Sequence, residues 1–265
     1  MSTPANINSL FSSARAQGTL SAESLQTLNL PDLGAQISAA MGIGVDDVAS
    51  SEVVLCSIMP DDSGSIRFGG NAQVVRDGHN LVVESLSKSK QRDAVLAHCR
   101  YLNGHVLYPY RPVAQAERMT TGNFDPSQGT PLYDQTVLLL GTVLAKAQQF
   151  ADSGVQARTV TLIITDGADE HSQRSTAKDV ARLVADLSRQ ETHIVAAMGI
   201  FDGGQTDFRK VFLEMGIEDR WILTPGSSPE QIRRAFQLFS QSAVKASQSA
   251  GSFGAAAAGG FGAAP

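Results

Sequence analysis

Apolar and polar positions along the chain fall into two patterns that take turns. Continuous apolar runs occur at EVVLCSIM (52–59), TVTLIIT (159–165) and HIVAAMGI (193–200), with a shorter one at RWIL (220–223). Runs of this length, rich in β-branched residues, suit strands covered on both faces, as in a parallel sheet. Between them the apolar positions recur at helical spacing. Leu132, Leu139, Val143, Ala147 and Phe150 predict a helix over 131–150, and Val180, Leu183, Val184 and Leu187 predict another from Thr176. Phe208, Val211, Phe212 and Met215 mark a third. SPEQ at 228–231 opens the last, with Ser228 as cap, Pro229 at the first helical position and Gln231 completing a capping box. A further helix is expected from about Asn80 to Leu102, followed by HVLYPYR (105–111), whose Pro109 costs a ladder hydrogen bond and so favours a sheet edge. Strands alternating with helices predict an α/β fold, with a doubly wound, mostly parallel, Rossmann-like sheet.

The flanks differ from this middle. Two short helical patterns precede the first strand, one around Ser9 to Ala16 stopped by Gly18 and one from Pro31 to Met41 stopped by Gly42. They predict a small helical appendage over 1–48, with the main domain at 49–246. The segment SQSAGSFGAAAAGGFGAAP (247–265) is almost all Gly, Ala and Ser. It offers too little apolar surface to offset its ordering entropy, so disorder is expected, with docking through Phe253 and Phe261 as the alternative.

Composition narrows the class. Hydrophobic residues make up 42% and charged residues 18%, an ordinary globular balance. A net charge of −5 argues against nucleic acid, whose non-specific binding needs clustered Lys and Arg. No apolar stretch reaches the ~18 residues that span a bilayer, and MSTPANINSLFSSARAQG lacks a basic segment followed by an apolar one. Cys56 and Cys99, without a CxxC, suit a reducing compartment and give no sign of zinc. The expectation is a cytoplasmic protein with no membrane partner.

The chemistry gathers where strands end, because ligands of open α/β sheets bind beyond the carboxyl ends of the strands. After the first strand, MPDDSGSIRFGG (59–70) places Asp61, Ser63 and Ser65 in the spacing D-x-S-x-S. Ahead of the helix at 131, SQGTPLYD sets Thr130 at a loop end, and the strand at 159–165 is followed by Asp166 in ITDG. Hydroxyls and carboxylates from three loops are hard oxygen donors of the kind Mg2+ or Mn2+ accepts. Neutral hydroxyls leave such an ion short of negative charge, and a carboxylate of another protein is the natural anion to complete it.

This set of residues resembles the von Willebrand factor A domain with a complete metal-ion-dependent adhesion site, and the likeness extends over most of 49–246. The resemblance implies that Ser63 and Ser65 hold the ion directly, and that Thr130 does so directly or through water according to conformational state. It implies that Asp61 and Asp166 act mainly through water or hydrogen bonds, while an Asp or Glu of a partner protein fills the sixth position. Members of intracellular, bacterial type often serve as adaptors in larger machines, including complexes of AAA+ ATPases. Two stretches depart from the family pattern: RFGGNAQVVRDGH reads as a long insertion over 66–79, and 112–129 leaves room for only a short edge strand.

Beside this set stand plainer features. Asp62, and Asp169, Glu170 and His171 of GADEHSQ, form an acidic rim around the site or simply a solvated carboxylate and an exposed turn leading to the helix cap at Thr176. His98, His105 and His193 read as structural, and Trp221 as packing. Two other functions compete with a non-enzymatic, metal-dependent interaction module. One is a Mg2+-dependent phosphohydrolase with Asp61 as nucleophile, although that chemistry wants an acid where Ser63 stands. The other is a structural subunit assembling through its N-terminal helices. No P-loop is present, so any ATP hydrolysis would belong to a partner.

Overall fold

The computed structural model describes residues 6–30, 32–200, 202–226 and 228–263. Six strands form one sheet: β1 (Glu52–Met59), β2 (Val95–Arg100), β3 (Val106–Pro112), β4 (Gln156–Thr165), β5 (His193–Gly199) and β6 (Ile222–Leu223). Their spatial order is β3-β2-β1-β4-β5-β6, with β3 antiparallel to β2 and the other pairs parallel. β1 and β4 lie at the centre, and seven of the eight β1 residues are buried, as the unbroken apolar run requires.

The helices are α1 (Ile7–Ala16), α2 (Ala22–Leu28), α3 (Leu33–Ala40), α4 (Asn71–Ser87), α5 (Leu132–Asp152), α6 (Ala177–Ser188), α7 (Phe208–Glu214), α8 (Pro229–Gln248) and α9 (Ala250–Gly259). The chain passes from β1 through α4 to β2 on one side, and reaches β4 through α5 on the other. Right-handed crossovers therefore put α4 and α5 on opposite faces. On the first face α4 packs against α8 so closely that a Cβ at Gly78 would lie 2.3 Å from the Phe236 ring. On the second face α5 packs beside α6, and α1 and α3 pack onto α5.

Several expectations change at this stage. The helix expected over 80–102 is two elements, α4 ending at Ser87 and the buried strand β2, which carries His98 inside the sheet with Nδ1 against the Tyr108 carbonyl at 2.9 Å. A run with His98 and Arg100 among apolar residues has no clear period, and only pairing with β1 and β3 settles it. The stretch over 66–79 is not an insertion: a 3-10 turn (Gly64–Gly70) leads straight into α4 at Asn71. Gly70 and Gly78 lowered the helical signal there. Residues 112–129 contribute no strand beyond the end of β3, and the antiparallel edge is β3 itself. Its pairing slips around Pro109, with Arg111 opposite Ala97 but Tyr108 opposite Cys99, the bulge a proline needs.

The flanks are packed rather than loose. A third helix, α2, lies between the two expected ones, and Phe11, Leu20, Leu28 and Ile37 join the core of the sheet. Pro31, the expected start of α3, lies outside the described residues; Asp32 precedes the helix in a left-handed conformation. The tail corrects the expectation of disorder through residue 263. α9 forms, Phe253 is buried, and Phe261 meets Trp221 edge-on with ring centroids 5.0 Å apart. Two aromatic anchors supply the burial that Gly and Ala could not.

Candidate functional site

At the carboxyl ends of β1 and β4 the chain builds a compact oxygen cluster. Asp61 follows β1 and turns back on itself: its Oδ1 accepts from the Ser63 amide at 2.7 Å. Its Oδ2 lies 2.7 Å from the Thr165 hydroxyl and accepts from the Asp166 amide at 3.4 Å. These bonds fix the turn so that Ser63 and Ser65 face the same way, with their hydroxyls 2.9 Å apart. Both donate to Asp166 Oδ1, Ser63 at 3.2 Å and Ser65 at 2.8 Å.

Thr130 reaches the same place by backbone pairing. Gln128 forms a parallel bridge with Ser63, and the Asp62 carbonyl accepts from the amides of Ser127 and Gln128. Ser63, Ser65, Thr130 and Asp166 then line one open cavity of about 620 Å³. Four of the five residues singled out from sequence thus share a cavity, and Asp61 sits behind them, fully buried.

Burial without a cationic neighbour governs the charges. Desolvation pushes the Asp61 carboxyl above its ordinary range, and four hydrogen bonds oppose that rise only in part. Asp166 is pushed up to about 6, first by desolvation and then by the charge of Asp61. Among the described residues no Lys or Arg lines the cavity. Two buried carboxylates that share a site and lack a cation, with three hydroxyl oxygens in front of them, fit a hard divalent ion. Among the described residues no group of three His, Cys, Asp or Glu side chains is placed to hold a metal, so a zinc-type donor set is absent there.

The acidic rim expected from sequence is only partly a rim. Asp62 is 2% exposed and turned inward, its Oδ1 accepting from the Asn103 amide at 2.9 Å. Desolvation pushes it up to about 7. The expectation of a solvated or partner-facing Asp62 is therefore corrected: the turn that presents Ser63 outward carries Asp62 to the other side. Asp169 accepts from the Tyr133 amide at 3.1 Å and from Ser172, bracing a loop. Glu170 is exposed and lines the cavity.

Two residues that sequence reading passed over, Thr165 and Asp134, shape the site together with His171, which was expected in an exposed turn. Thr165 fixes Asp61. His171 accepts from the Thr130 amide at Nδ1 over 2.9 Å, and the Thr130 carbonyl accepts from the amides of Glu170 and His171. Gly129 is needed for this approach, since a Cβ there would lie 2.9 Å from the His171 ring. Asp134, in the first turn of α5, accepts from the amides of Gln173, Arg174 and Ser175 at 2.9, 3.2 and 2.7 Å. A carboxylate in a helix's first turn is a weak signal that could have drawn attention to Asp134. His171 gave none.

No protein-family model matches the chain, and no curated protein sequence does either. Solved structures do match. The pilus adhesin SpaC of Lactobacillus rhamnosus GG, in its open conformation, aligns at 14% identity with a TM-score of 0.54, over 74% of this chain and 30% of that one. What that likeness shows is the fold, a mostly parallel six-stranded sheet flanked by helices. A von Willebrand factor type A structure from Catenulispora acidiphila is similar at 19% identity, over 74% of this chain and 43% of that one, with a TM-score of 0.49. Proximal thread matrix protein 1 of the mussel byssus is similar at 15% identity, over 74% and 48%, with a TM-score of 0.48. This chain spans less than half the length of each, and at these identities the likeness is one of fold.

Proposed function

We propose that the chain is a non-enzymatic, divalent-metal-dependent protein-interaction module. Ser63, Ser65 and Thr130 would hold Mg2+ or Mn2+ at the cavity floor, with Asp61 and Asp166 behind them, and the ion would supply the charge that captures an Asp or Glu of a partner. The single observation that carries this reading is the pairing of two buried carboxylates, unmatched by any Lys or Arg among the described residues of the cavity, with hydroxyls from two loops. What the chain itself contributes is orientation: Thr165 and two amides lock Asp61, and His171 locks the Thr130 backbone.

A partner within a larger assembly, such as an AAA+ ATPase complex, is the kind the family resemblance calls for. Two unpaired, buried cysteines, Cys56 and Cys99, support a reducing, cytoplasmic setting. Among the described residues no helix is long and apolar enough to cross a membrane. The phosphohydrolase alternative is disfavoured by Asp61 itself, which is 0% exposed with both carboxylate oxygens engaged by donors. A nucleophile needs a free, accessible oxygen.

Calorimetric titration of Mn2+ into chelator-stripped protein tests the reading. One ion should bind wild type, Ser65→Ala should weaken it by ~10-fold or more, and Asp166→Ala should abolish it while circular dichroism stays native. Partner capture in Mg2+ and in chelator then reads the second half of the proposal. Equal Mn2+ binding by wild type and Asp166→Ala would sink it, and the structural-subunit reading through the N-terminal helices would take its place.

A further inference from the structure

The cavity over Ser63 and Ser65 is larger than one carboxylate requires, and its lining is one-sided in charge. Its volume of about 620 Å³ falls within the roughly 300–1,000 Å³ of pockets that enclose a drug-sized ligand. Asp166, Glu170 and Asp202 all line it, with no Lys or Arg among the described residues. Asp202 is fixed in place by its own turn, Oδ1 accepting from the amides of Gly204 and Gln205 at 3.1 and 3.0 Å.

The same cavity is lined by an aromatic ring that the fold leaves in solvent. Phe68 is 74% exposed, and among the described residues only Leu213 accompanies it as an exposed large hydrophobic side chain. A single exposed apolar residue needs no explanation by itself. Phe68, however, lies on the turn that carries Ser65 and borders the cavity. That turn is held by the buried Ile66 and by the Gly64 amide, which donates to the Gln128 carbonyl at 3.1 Å, while the exposed pair of Arg67 with Asp125 adds little.

We propose that the cavity takes a protein segment of mixed chemistry: an Asp or Glu directed to the hydroxyl cluster, an apolar side chain next to it against Phe68, and a Lys or Arg facing Glu170 and Asp202. The proposal rests on the metal-dependent reading and adds what selects the partner. Charge complementarity argues for it. A segment carrying only acids would bring more negative charge to Glu170 and Asp202, and one divalent ion is already shared with Asp61 and Asp166. A basic residue near the acid relieves that repulsion and rejects uniformly acidic competitors. Covering Phe68 removes apolar surface from water at the rim of the ion, where exclusion of water strengthens the polar contact.

Selection from a library of random displayed peptides tests this, panned on the full chain in Mn2+ and eluted with chelator, with the Mn2+ affinity of each variant measured separately by calorimetry. The eluted pool should be enriched in an acid flanked by Leu, Ile or Phe and by Lys or Arg. Phe68→Ser should weaken a selected peptide by ~10-fold or more and leave Mn2+ affinity unchanged. Glu170→Lys should exchange the preferred base for an acid. A pool that carries the acid alone, or that binds equally to Phe68→Ser and Glu170→Lys, overturns the proposal and leaves the ion site standing. Wild type that binds Mn2+ but yields no chelator-released peptides also overturns it. Failure of wild type to bind Mn2+ overturns both this inference and the reading beneath it.

Discussion

The two ends of the sheet are held together by different forces. At the carboxyl end, loops are fixed by carboxylates that accept from backbone amides: Asp61 from Ser63, Asp62 from Asn103, Asp134 from residues 173–175 and Asp169 from Tyr133. At the other end, α1 and α9 close over the start of β4, where Gln17, Gln148, Arg158 and Phe253 border a common cavity. There aromatic anchors stand beside one side-chain network, in which Asp152 Oδ1 accepts from Ser13 at 2.8 Å, Gln17 at 3.2 Å and Gln148 at 2.6 Å. Phe11 and Phe253 are 1% and 2% exposed, and Phe253 lies with its ring 6.0 Å from the Arg158 guanidinium. Hydrogen bonds to charged groups are directional, so they place hydroxyls to within the tolerance a ligand needs. Apolar burial is non-directional and contributes more stability per residue while specifying less geometry.

That contrast can be broken from either side, and the largest effect should come from the apolar end. Phe11→Ala should cost ~3–5 kcal/mol in urea unfolding. It should leave the Mn2+ affinity of the folded protein unchanged. Asp134→Ala should cost less, ~1–3 kcal/mol, because three amides lose their acceptor. It should nevertheless weaken Mn2+ binding by ~10-fold, since the loop carrying His171 loosens around Thr130. Equal losses of ion affinity in the two variants would show that the ends are not separable.

Acidity sharpens the comparison further. Burial holds His79 at about 4, His98 at about 3 and His193 at about 4, each below an ordinary 6.5. Their folded pKa values are depressed, so the stability they contribute is present above about 6.5 and is lost as pH falls toward 4, at up to ~1.4 kcal/mol per pH unit for each. At the site end the sign is reversed. Asp62 and Asp166 are raised to about 7 and about 6, so without an ion they favour the folded chain at low pH. That contribution is lost as pH rises from about 4 to about 7. In chelator, thermal melts of Asp62→Asn should lie above wild type at about pH 8 and match it near pH 4. His193→Gln should flatten the acid-side loss. The smallest effect belongs to the surface: removing the exposed pair of Lys88 with Glu84 by Lys88→Ala should change stability by no more than ~0.5 kcal/mol and ion affinity not at all.

Much of this architecture was legible before any coordinates. The strands at 52–59, 159–165 and 193–200 announced themselves because burial on both faces demands an unbroken apolar run. Helices α6 and α7 did so because burial on one face demands a period near 3.6, α5 through a broader apolar face and α8 through its cap at Ser228. β2 escaped because His98 and Arg100 interrupt its pattern, although both are buried and only partly partnered, His98 by the Tyr108 carbonyl and Arg100 by the Gly104 carbonyl. α9 escaped because composition counts only what a segment can bury by itself, whereas Phe253 and Phe261 bury themselves against the domain.

The site divides in the same way. Asp61, Ser63 and Ser65 are local, since one turn fixes their mutual geometry, and Thr130 and Asp166 stood out because each sits at a loop end beside an element that the pattern had already placed. His171, 41 residues from Thr130, and Thr165, 104 residues from Asp61, had no such signal. The inward turn of Asp62 was equally hidden, because Asn103 reaches it from a loop 41 residues away. Sequence by itself determined most of the strands and helices, β2, α2 and α9 excepted, and which side chains supply oxygen. Tertiary structure alone decided which of those oxygens face a common cavity and which residues lock them there, because a hydrogen bond acts over about 3 Å and only the folded chain brings such distant residues that close.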